Sequence, residues 1–320
     1  MQPRLIVQLV ALYLAATIKL AAVGQTSESI EVEFSQCDTK RETRAGSYEA
    51  PQDCGVATTS RQYDESRNRH PQYRLLNGEP VEGGKWQFFA TLVGQSESRV
   101  CGATIIGNEY VVTSKTCATA ASKPANESSL RILLGHPDRT QESFNGKVVW
   151  VYRSCSSLGY SIRPSINGAY RSKLDFLIIK LDERLDFGDT IQPACLADSA
   201  DILTDKSSEC IVIGHSGTFG QDLELRSAPI KYFKCWMEDE SQFCFKSASN
   251  EKRVITCAND SGGPVLCKRE DRWHLVGVVS TTPTNCSREL WDLGVFNVAT
   301  KLDFVIATNT FGACMDSLIE

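Results

Sequence analysis

Short runs rich in valine, isoleucine and leucine recur along the chain from Trp86 onward. Glycine, asparagine, serine and proline separate these runs, and the runs are too short for typical helices. The clearest of them span residues 88–93, 130–134, 148–152, 176–181, 210–213 and 275–280. Many short strands separated by turn residues are typical of barrels and sandwiches, so the pattern predicts an all-β fold.

Two regions depart from this strand pattern. Residues 295–308 change to helical spacing, which predicts a short C-terminal helix, followed by a C-terminal tail at 313–320. The apolar face of that helix would consist of Leu302, Val305 and Ile306. Residues 25–74 are polar, mixed in charge and poor in apolar periodicity, so we expect a largely irregular segment that packs no core.

Residues 1–24 have the pattern of a secretory signal peptide. A short basic start precedes the apolar run 5–23, and small residues flank a cleavage position near Gly24. Gln8 and Lys19 interrupt the run, whose apolar part is short for a membrane span, so a cleaved signal is favoured over an anchor. We therefore expect a secreted protein in which the irregular segment after the signal is a pro-segment.

Composition and charge exclude some classes of function. The 320 residues are 42% hydrophobic and 23% charged, and the formal net charge of −5 gives no sign of nucleic-acid binding. Thirteen cysteines are many for this length. In a secreted chain such a number indicates a disulfide framework, whereas in the cytosol it would suggest metal or redox chemistry. No metal or cofactor is predicted.

The sequence Asp-Ser-Gly-Gly-Pro at 260–264 is the strongest chemical motif of the chain. A glycine-rich turn of this kind would expose the Ser261 hydroxyl beside backbone N–H groups, which suits a nucleophile next to an oxyanion hole. Alone, the motif could equally be a surface turn, because all four residue types favour turns. Further blocks accompany it at residues 101–106, 110–117 and 174–181.

In this order the blocks resemble those of the chymotrypsin/trypsin family of serine proteases. The segment before Cys117 is similar to the family's Thr-Ala-Ala-His-Cys, and Thr116 occupies the place of the general-base histidine. By the same resemblance, Asp175 corresponds to the orienting aspartate and Ser261 to the nucleophile. The resemblance covers residues 75–312 and implies two six-stranded antiparallel β-barrels with a C-terminal helix.

The presence of Thr116 at the position of the family's histidine predicts that proteolysis has been lost. A serine hydroxyl is a poor nucleophile until a base takes its proton, and a threonine hydroxyl is far too weak a base at neutral pH. In subtilisin, loss of the base alone lowers kcat by about 10⁶. An alternative is that Lys115 itself acts as the base, which would require its pKa to be lowered. The four histidines are expected to have structural or solvated roles; they are His70, His136, His215 and His274.

Other positions of the implied site also differ from the family. Asn259 replaces a glycine of the oxyanion hole that it would form with Ser261, and because asparagine tolerates positive φ, the turn is expected to survive. The base of the specificity pocket is Ile255, where proteases that cut after Lys or Arg have aspartate, and its wall contains Ser280 and Thr282. Together with the lost histidine, these changes favour structural roles for the retained aspartate and serine.

An activation site is implied at Arg74, because the family is cut after a basic residue that precedes Ile-Val-Gly-Gly. In the family the new N-terminus pairs with the aspartate before the nucleophile, which here would join the Leu75 amine to Asp260. A buried charge pair of this kind can hold a switch in one state. The alternative is that Arg74 is simply a solvated basic residue.

The resemblance also implies a set of disulfides. The implied pairs are Cys101–Cys117, Cys210–Cys267, Cys257–Cys286, Cys235–Cys244 and Cys54–Cys195. The last pair would tether a cleaved pro-segment to the protease-like domain. Cys37, Cys155 and Cys314 stay unassigned, and their odd number leaves room for a disulfide-linked dimer.

Three sequences match the acceptor pattern for N-glycosylation. Asn126 lies in a polar loop and is predicted to be modified. Asn285 precedes a cysteine of an implied disulfide, which disfavours modification, and Asn259 is expected to be too buried.

Together, these features predict a secreted, catalytically inactive serine protease homologue that acts by binding proteins. It resembles the arthropod homologues that serve as cofactors or regulators in extracellular protease cascades, including those of innate immunity. Its partners would be extracellular proteins, such as cascade proteases or their zymogens, rather than nucleic acids or membranes. Two alternatives are a secreted endopeptidase with an unorthodox base and an apolar pocket, and a structural or adhesive extracellular protein that dimerises through an odd cysteine.

Overall fold

Strands and the turns between them make up most of the described chain. The computed structural model describes residues 51–57, 75, 78–81, 85–94, 100–122, 129–135, 146–156, 160–164, 170–197, 205, 208–215, 225–233, 241–249, 254–280, 297–301, 314 and 318. The strands are β1 Glu79–Pro80, β2 Phe89–Val93, β3 Val100–Ile105, β4 Tyr110–Thr113, β5 Arg131–Leu134, β6 Lys147–Ser156, β7 Ser161–Pro164, β8 Tyr170–Lys173, β9 Leu177–Leu181, β10 Cys195–Leu196, β11 Cys210–Gly214, β12 Arg226–Phe233, β13 Gln242–Ser247, β14 Pro264–Arg269, β15 Arg272–Val279 and β16 Asn297–Lys301. Helix α1 spans Lys115–Ser122. No described helix has the length and apolar character that a membrane span requires.

The first barrel consists of six antiparallel strands, in the closed order β2-β3-β4-β9-β6-β5. Strands β2 and β3 are buried along their whole length. The core of this barrel is built from aliphatic residues that the strands turn inward, among them Leu92, Ile105, Ile132 and Ile179. Burial of these apolar side chains is the main stabilising term of the barrel.

The second barrel also has six strands, in the order β12-β11-β14-β15-β16-β13, and the pairing of β12 with β13 closes it. Strand β1 pairs antiparallel with the start of β12, and β10 pairs in parallel with β15. Its core includes Val212, Phe245, Val265 and Val276. The prediction of an all-β fold with two six-stranded antiparallel barrels is therefore confirmed.

The C-terminal part of the chain differs from its sequence interpretation. Residues 297–301, expected at the start of a helix, form strand β16. This strand pairs with β15 on one side and β13 on the other, and these ladders outweigh the local helical spacing. Cys314 and Leu318, assigned to a tail, have helical backbone and are only 1% and 2% exposed. These two residues thus contribute to the hydrophobic core.

Every described cysteine takes part in a disulfide. Three of the implied pairs are present, namely Cys54–Cys195, Cys101–Cys117 and Cys210–Cys267. Cys244 and Cys257 are also disulfide-bonded, whereas Cys235 and Cys286 lie outside the described residues. Two cysteines that sequence reasoning left unassigned, Cys155 and Cys314, form a further pair. Cys37 also lies outside the described residues, so the disulfide-linked dimer stays a prediction.

Removing the Cys155–Cys314 disulfide is expected to lower the free energy of unfolding by about 3–5 kcal/mol, because the bond joins residues far apart in sequence and restricts the unfolded chain. The measurement is guanidinium unfolding of a Cys155→Ser/Cys314→Ser variant beside the wild type. Mass spectrometry of unreduced peptides should show the two cysteines cross-linked. Alkylation of Cys155 in the unreduced native protein would contradict the pairing.

Candidate functional site

The predicted site residues come from both barrels and meet between them. Helix α1, which carries Thr116, begins directly after β4, and Asp175 lies in the turn before β9. From the second barrel, Ser261 follows the 3₁₀ turn Ala258–Asp260 and precedes β14, while Ser280 follows β15. The structure thus brings the three positions of the implied triad to one junction.

Close backbone contact fixes the position of the nucleophile turn. The Gly102 N–H in β3 donates to the Ser261 carbonyl over 2.9 Å, and the Thr113 hydroxyl donates to the Gly102 carbonyl over 2.6 Å. Gly262 has φ +86°, and a Cβ atom there would collide with the Gly102 carbonyl and the Thr113 hydroxyl. Only glycine satisfies both constraints, so the sequence Ser-Gly-Gly holds the serine at the barrel junction.

A tight turn presents the Asp175 carboxylate to the junction. The Phe176 N–H donates to the Leu174 carbonyl over 2.9 Å, and Leu174 has φ +49°, a left-handed conformation that is unfavourable for leucine. Strained backbone of this kind persists only where surrounding contacts hold it. The buried Leu174 side chain in the hydrophobic core supplies such contacts.

The Asp175 carboxylate is 0% exposed and accepts hydrogen bonds from both barrels. Its Oδ2 accepts from the hydroxyls of Ser114 at 2.9 Å and Ser280 at 2.7 Å. Its Oδ1 accepts from the backbone N–H of Thr116 at 2.8 Å. Ser114 also caps helix α1, since its Oγ accepts the Cys117 N–H at 3.1 Å. Asp175 therefore ties the start of α1 to the end of β15.

Tyr160 contacts the residue that replaces the family's histidine. The Thr116 Oγ1 and the Tyr160 hydroxyl lie 3.0 Å apart, within hydrogen-bonding distance. Lys115 Nζ lies 4.4 Å from the centroid of the Tyr160 ring and donates to the Ser156 hydroxyl over 2.8 Å. The space beyond the short Thr116 side chain is thus taken by a phenol.

The Tyr160 phenol is a poor candidate for a base. Burial raises its pKa well above the usual value, and the negative charge of Asp175 raises the pKa further. A hydrogen bond with Thr116 offsets part of this shift. Because the phenol stays protonated at neutral pH, it cannot accept the proton of a nucleophile.

The Ser261 hydroxyl is buried and donates to the backbone carbonyl of Ser280 over 2.6 Å. A hydroxyl has one proton to donate, and a carbonyl oxygen is not basic enough to remove it. In this geometry the Ser261 hydroxyl is engaged by a group that cannot activate it.

The backbone around the implied oxyanion hole is a 3₁₀ turn. The Asp260 N–H donates to the Cys257 carbonyl over 2.9 Å, and the Gly262 N–H donates to the Val279 carbonyl over 2.7 Å. Among the described residues that are not glycine, Asn259 is not one of those with positive φ. The expectation that asparagine would keep a left-handed turn here is therefore corrected: the 3₁₀ hydrogen bond sets the conformation of this residue.

The other implied site residues are mostly buried. Ile255 is buried, and the Ser280 hydroxyl is engaged by Asp175. The Asp260 carboxylate is buried and accepts the Cys257 N–H over 2.7 Å. Leu75 is also buried, in the hydrophobic core of the second barrel.

Both described histidines make structural contacts. His215 Nε2 lies 2.6 Å from the Thr91 hydroxyl, and its ring meets Phe89 edge to face. His274 Nδ1 lies 3.2 Å from the Arg272 carbonyl. The remaining predicted positions lie outside the described residues; they are Arg74, Thr282, Asn126, His70 and His136.

Sequence reasoning did not identify Tyr160 or Ser114 as part of the site. Ser114 carried a usable signal, because serine directly before a helix is a preferred cap. Tyr160 carried none, since it lies 44 residues from Thr116 and no motif surrounds it.

Comparison with known proteins agrees with this architecture. Residues 75–304 match the family model described as Trypsin. Ovochymase of Halocynthia roretzi is 25% identical to the chain over 270 residues, which cover 80% of this chain and 16% of ovochymase. The chain thus spans about a sixth of the length of that relative. Because the family model matches most of the chain and the two barrels have the expected form, the chain belongs to the trypsin family.

Proposed function

We propose that this chain is a trypsin-family member without proteolytic activity, and that it acts by binding other proteins. The observation that carries the proposal is the hydrogen bond between Thr116 and Tyr160 in the position of the general base. Neither hydroxyl has a basic oxygen at neutral pH, because the Tyr160 pKa is raised and an aliphatic alcohol is a very weak base.

Two other contacts support the loss of activity. The Ser261 hydroxyl donates to the Ser280 carbonyl instead of to a base. Lys115, the alternative base, directs its ammonium group to the Ser156 hydroxyl and the Tyr160 ring. These contacts engage the Lys115 ammonium group with neighbours other than Ser261.

The proposed setting is extracellular. Disulfides persist in oxidising compartments, and every described cysteine is disulfide-bonded. We propose that the protein is secreted and serves as a cofactor or regulator of an extracellular protease cascade, such as one of innate immunity. Cascade proteases or their zymogens are the proposed partners.

The contacts of residues 51–57 support a tethered pro-segment. Cys54 is bonded to Cys195, and the backbone of Gly55 pairs with Pro193 at 2.7 Å and with Trp273 at 2.8 Å. Gly55 has φ +74°, and a Cβ atom there would come within 2.8 Å of the Trp273 backbone. A cut after Arg74 would therefore leave this part of the pro-segment attached, and the cleaved form would present both pieces to a partner.

Protein cut after Arg74 and purified from the cutting protease is expected to hydrolyse a fluorogenic peptide library no faster than its Ser261→Ala variant. A serine-directed phosphonate probe is expected to label neither protein, because no base activates the hydroxyl. An active trypsin-family protease serves as the positive control for both assays.

Turnover or labelling that disappears in Ser261→Ala would overturn the proposal and favour a secreted endopeptidase with an unorthodox base. In that case Lys115→Ala identifies whether the neighbouring lysine is that base. Loss of the residual turnover in this variant would assign the role to Lys115.

A further inference from the structure

The outer face of strand β6 exposes three large side chains in a row. Val148, Trp150 and Tyr152 are 43%, 48% and 58% exposed, and the residues between them are buried in the barrel. Alternate residues of a strand point to the same side, so these three form one stripe about 13 Å long. Among the described residues, Val56 is the other large hydrophobic side chain that is exposed. Within the part of the chain that the structure describes, exposed apolar surface is thus concentrated on the β6 stripe rather than scattered.

Cationic side chains lie against the aromatic rings of the β6 stripe. The Arg131 guanidinium lies 5.8 Å from the centroid of the Trp150 ring. Arg153 and Lys180 lie 5.4 Å and 5.9 Å from the centroid of the Tyr152 ring. These cation–π contacts place positive charge beside both exposed rings.

The local charge of this face is opposite to that of the whole chain. Asp182 is beside the stripe, where its Oδ1 accepts the Trp150 N–H over 3.1 Å. At its end, Lys147 pairs with Glu183 over 3.3 Å. Among the described side chains of this face, four cations outnumber two carboxylates, although the chain as a whole has a net charge of −5; the cations are Arg131, Lys147, Arg153 and Lys180. A negatively charged ligand therefore finds a favourable potential here.

The position of β6 in the barrel limits how a partner can bind. Residues 147–150 of the strand pair with β5 and residues 151–156 pair with β9, so neighbouring strands engage its backbone along the whole stripe. Recognition is therefore expected through side chains rather than through strand addition. Tryptophan, tyrosine and arginine are the residue types that contribute most at protein interfaces, and all three are present.

We propose that the β6 stripe binds an acidic segment of a partner protein, in which large apolar side chains alternate with carboxylates. The proposal rests on the proposed function, in which binding replaces catalysis. The apolar side chains would pack on Trp150 and Tyr152, and the carboxylates would pair with the surrounding arginines. A second copy of this chain does not fit, because two such stripes would place like charges together.

The test uses the full chain and three fluorescein-labelled peptides. One alternates glutamate with phenylalanine, the second has lysine in place of glutamate, and the third has serine in place of phenylalanine. The first peptide is expected to bind at least about tenfold more tightly than the other two in fluorescence anisotropy. Its affinity should also fall as salt is added, because exposed charges are screened.

Variants locate the binding surface. The double variant Trp150→Ala/Tyr152→Ala is expected to bind the first peptide about tenfold more weakly or worse. Arg153→Glu should weaken binding of this peptide as well. Val56→Ala removes an equally exposed apolar side chain elsewhere and should leave binding unchanged. Because these side chains are exposed, thermal unfolding of all variants should match the wild type.

Three outcomes overturn the proposal. The first is equal binding of the glutamate and lysine peptides, and the second is unchanged peptide binding in the aromatic variant. The third is that phosphatidylserine vesicles bind in place of the peptide and lose binding in the same variants, which would assign the stripe to a lipid surface. Peptide hydrolysis is measured on the same samples: a chain that is inert but binds no acidic peptide leaves the proposed function standing, whereas Ser261-dependent turnover removes it.

Discussion

Replacing Thr116 by histidine is expected not to produce peptide hydrolysis, although it supplies the general-base residue that the family has at this position. The Tyr160 hydroxyl lies 3.0 Å from Thr116 Oγ1, within reach of a longer side chain at this position. We therefore expect an imidazole here to meet the phenol. The Ser261 hydroxyl would still donate to the Ser280 carbonyl, and the loop before it would still be a 3₁₀ turn.

Combined changes are expected to succeed where the single change fails. Thr116→His/Tyr160→Ala/Asn259→Gly supplies the imidazole, clears its space and gives the oxyanion loop its missing glycine. A base is worth about 10⁶ in kcat in subtilisin, so recovery of even a small part of this factor should be visible. The readouts are phosphonate labelling and hydrolysis of the fluorogenic peptide library by protein cut after Arg74.

Two controls make the series decisive. Thr116→His/Tyr160→Phe/Asn259→Gly keeps the aromatic ring and removes only its hydroxyl, so it should remain inactive if the ring is the obstacle. Each active variant is repeated with Ser261→Ala, which should abolish its activity. Hydrolysis by Thr116→His alone that depends on Ser261 would show that Tyr160 does not obstruct the site.

The fold followed from local sequence patterns to a large extent. Runs such as 88–93 and 176–181 became β2 and β9 because their aliphatic residues are buried on both faces of the strand. The order of the family blocks then predicted that Thr116, Asp175 and Ser261 lie together, which is how the structure places them.

The remaining features depend on contacts that no local pattern encodes. Strand β16 has helical spacing in sequence, but two flanking strands determine its conformation. The Cys155–Cys314 bond depends on where the chain returns after the second barrel. Tyr160 reaches the site from a segment without a motif, so only the three-dimensional arrangement reveals that it contacts Thr116.

Removing the Asp175 carboxylate is expected to lower the free energy of unfolding by about 3–5 kcal/mol, because its buried donors lose a charged acceptor. Those donors are the Ser114 and Ser280 hydroxyls and the Thr116 N–H, all within 2.9 Å of a carboxylate oxygen. Asp175→Asn keeps one acceptor oxygen without the charge, so its free energy of unfolding is expected to fall by only about 1–2 kcal/mol. Guanidinium unfolding of Asp175→Ala and Asp175→Asn measures both values.

Asp186→Ala is the matched control, because this aspartate is exposed and its loss should change stability by no more than about 0.5 kcal/mol. Unfolding of Asp175→Ala at the wild-type midpoint would mean that the carboxylate is not needed for the fold, and a catalytic reason for its presence would have to be sought. In the family this aspartate orients the general-base imidazole, whereas here its observed donors are the Thr116 backbone N–H and the hydroxyls of Ser114 and Ser280. A large loss of stability in Asp175→Ala, together with the proposed absence of hydrolysis in the wild type, would separate the structural role of Asp175 from the catalytic role of its counterpart in the family.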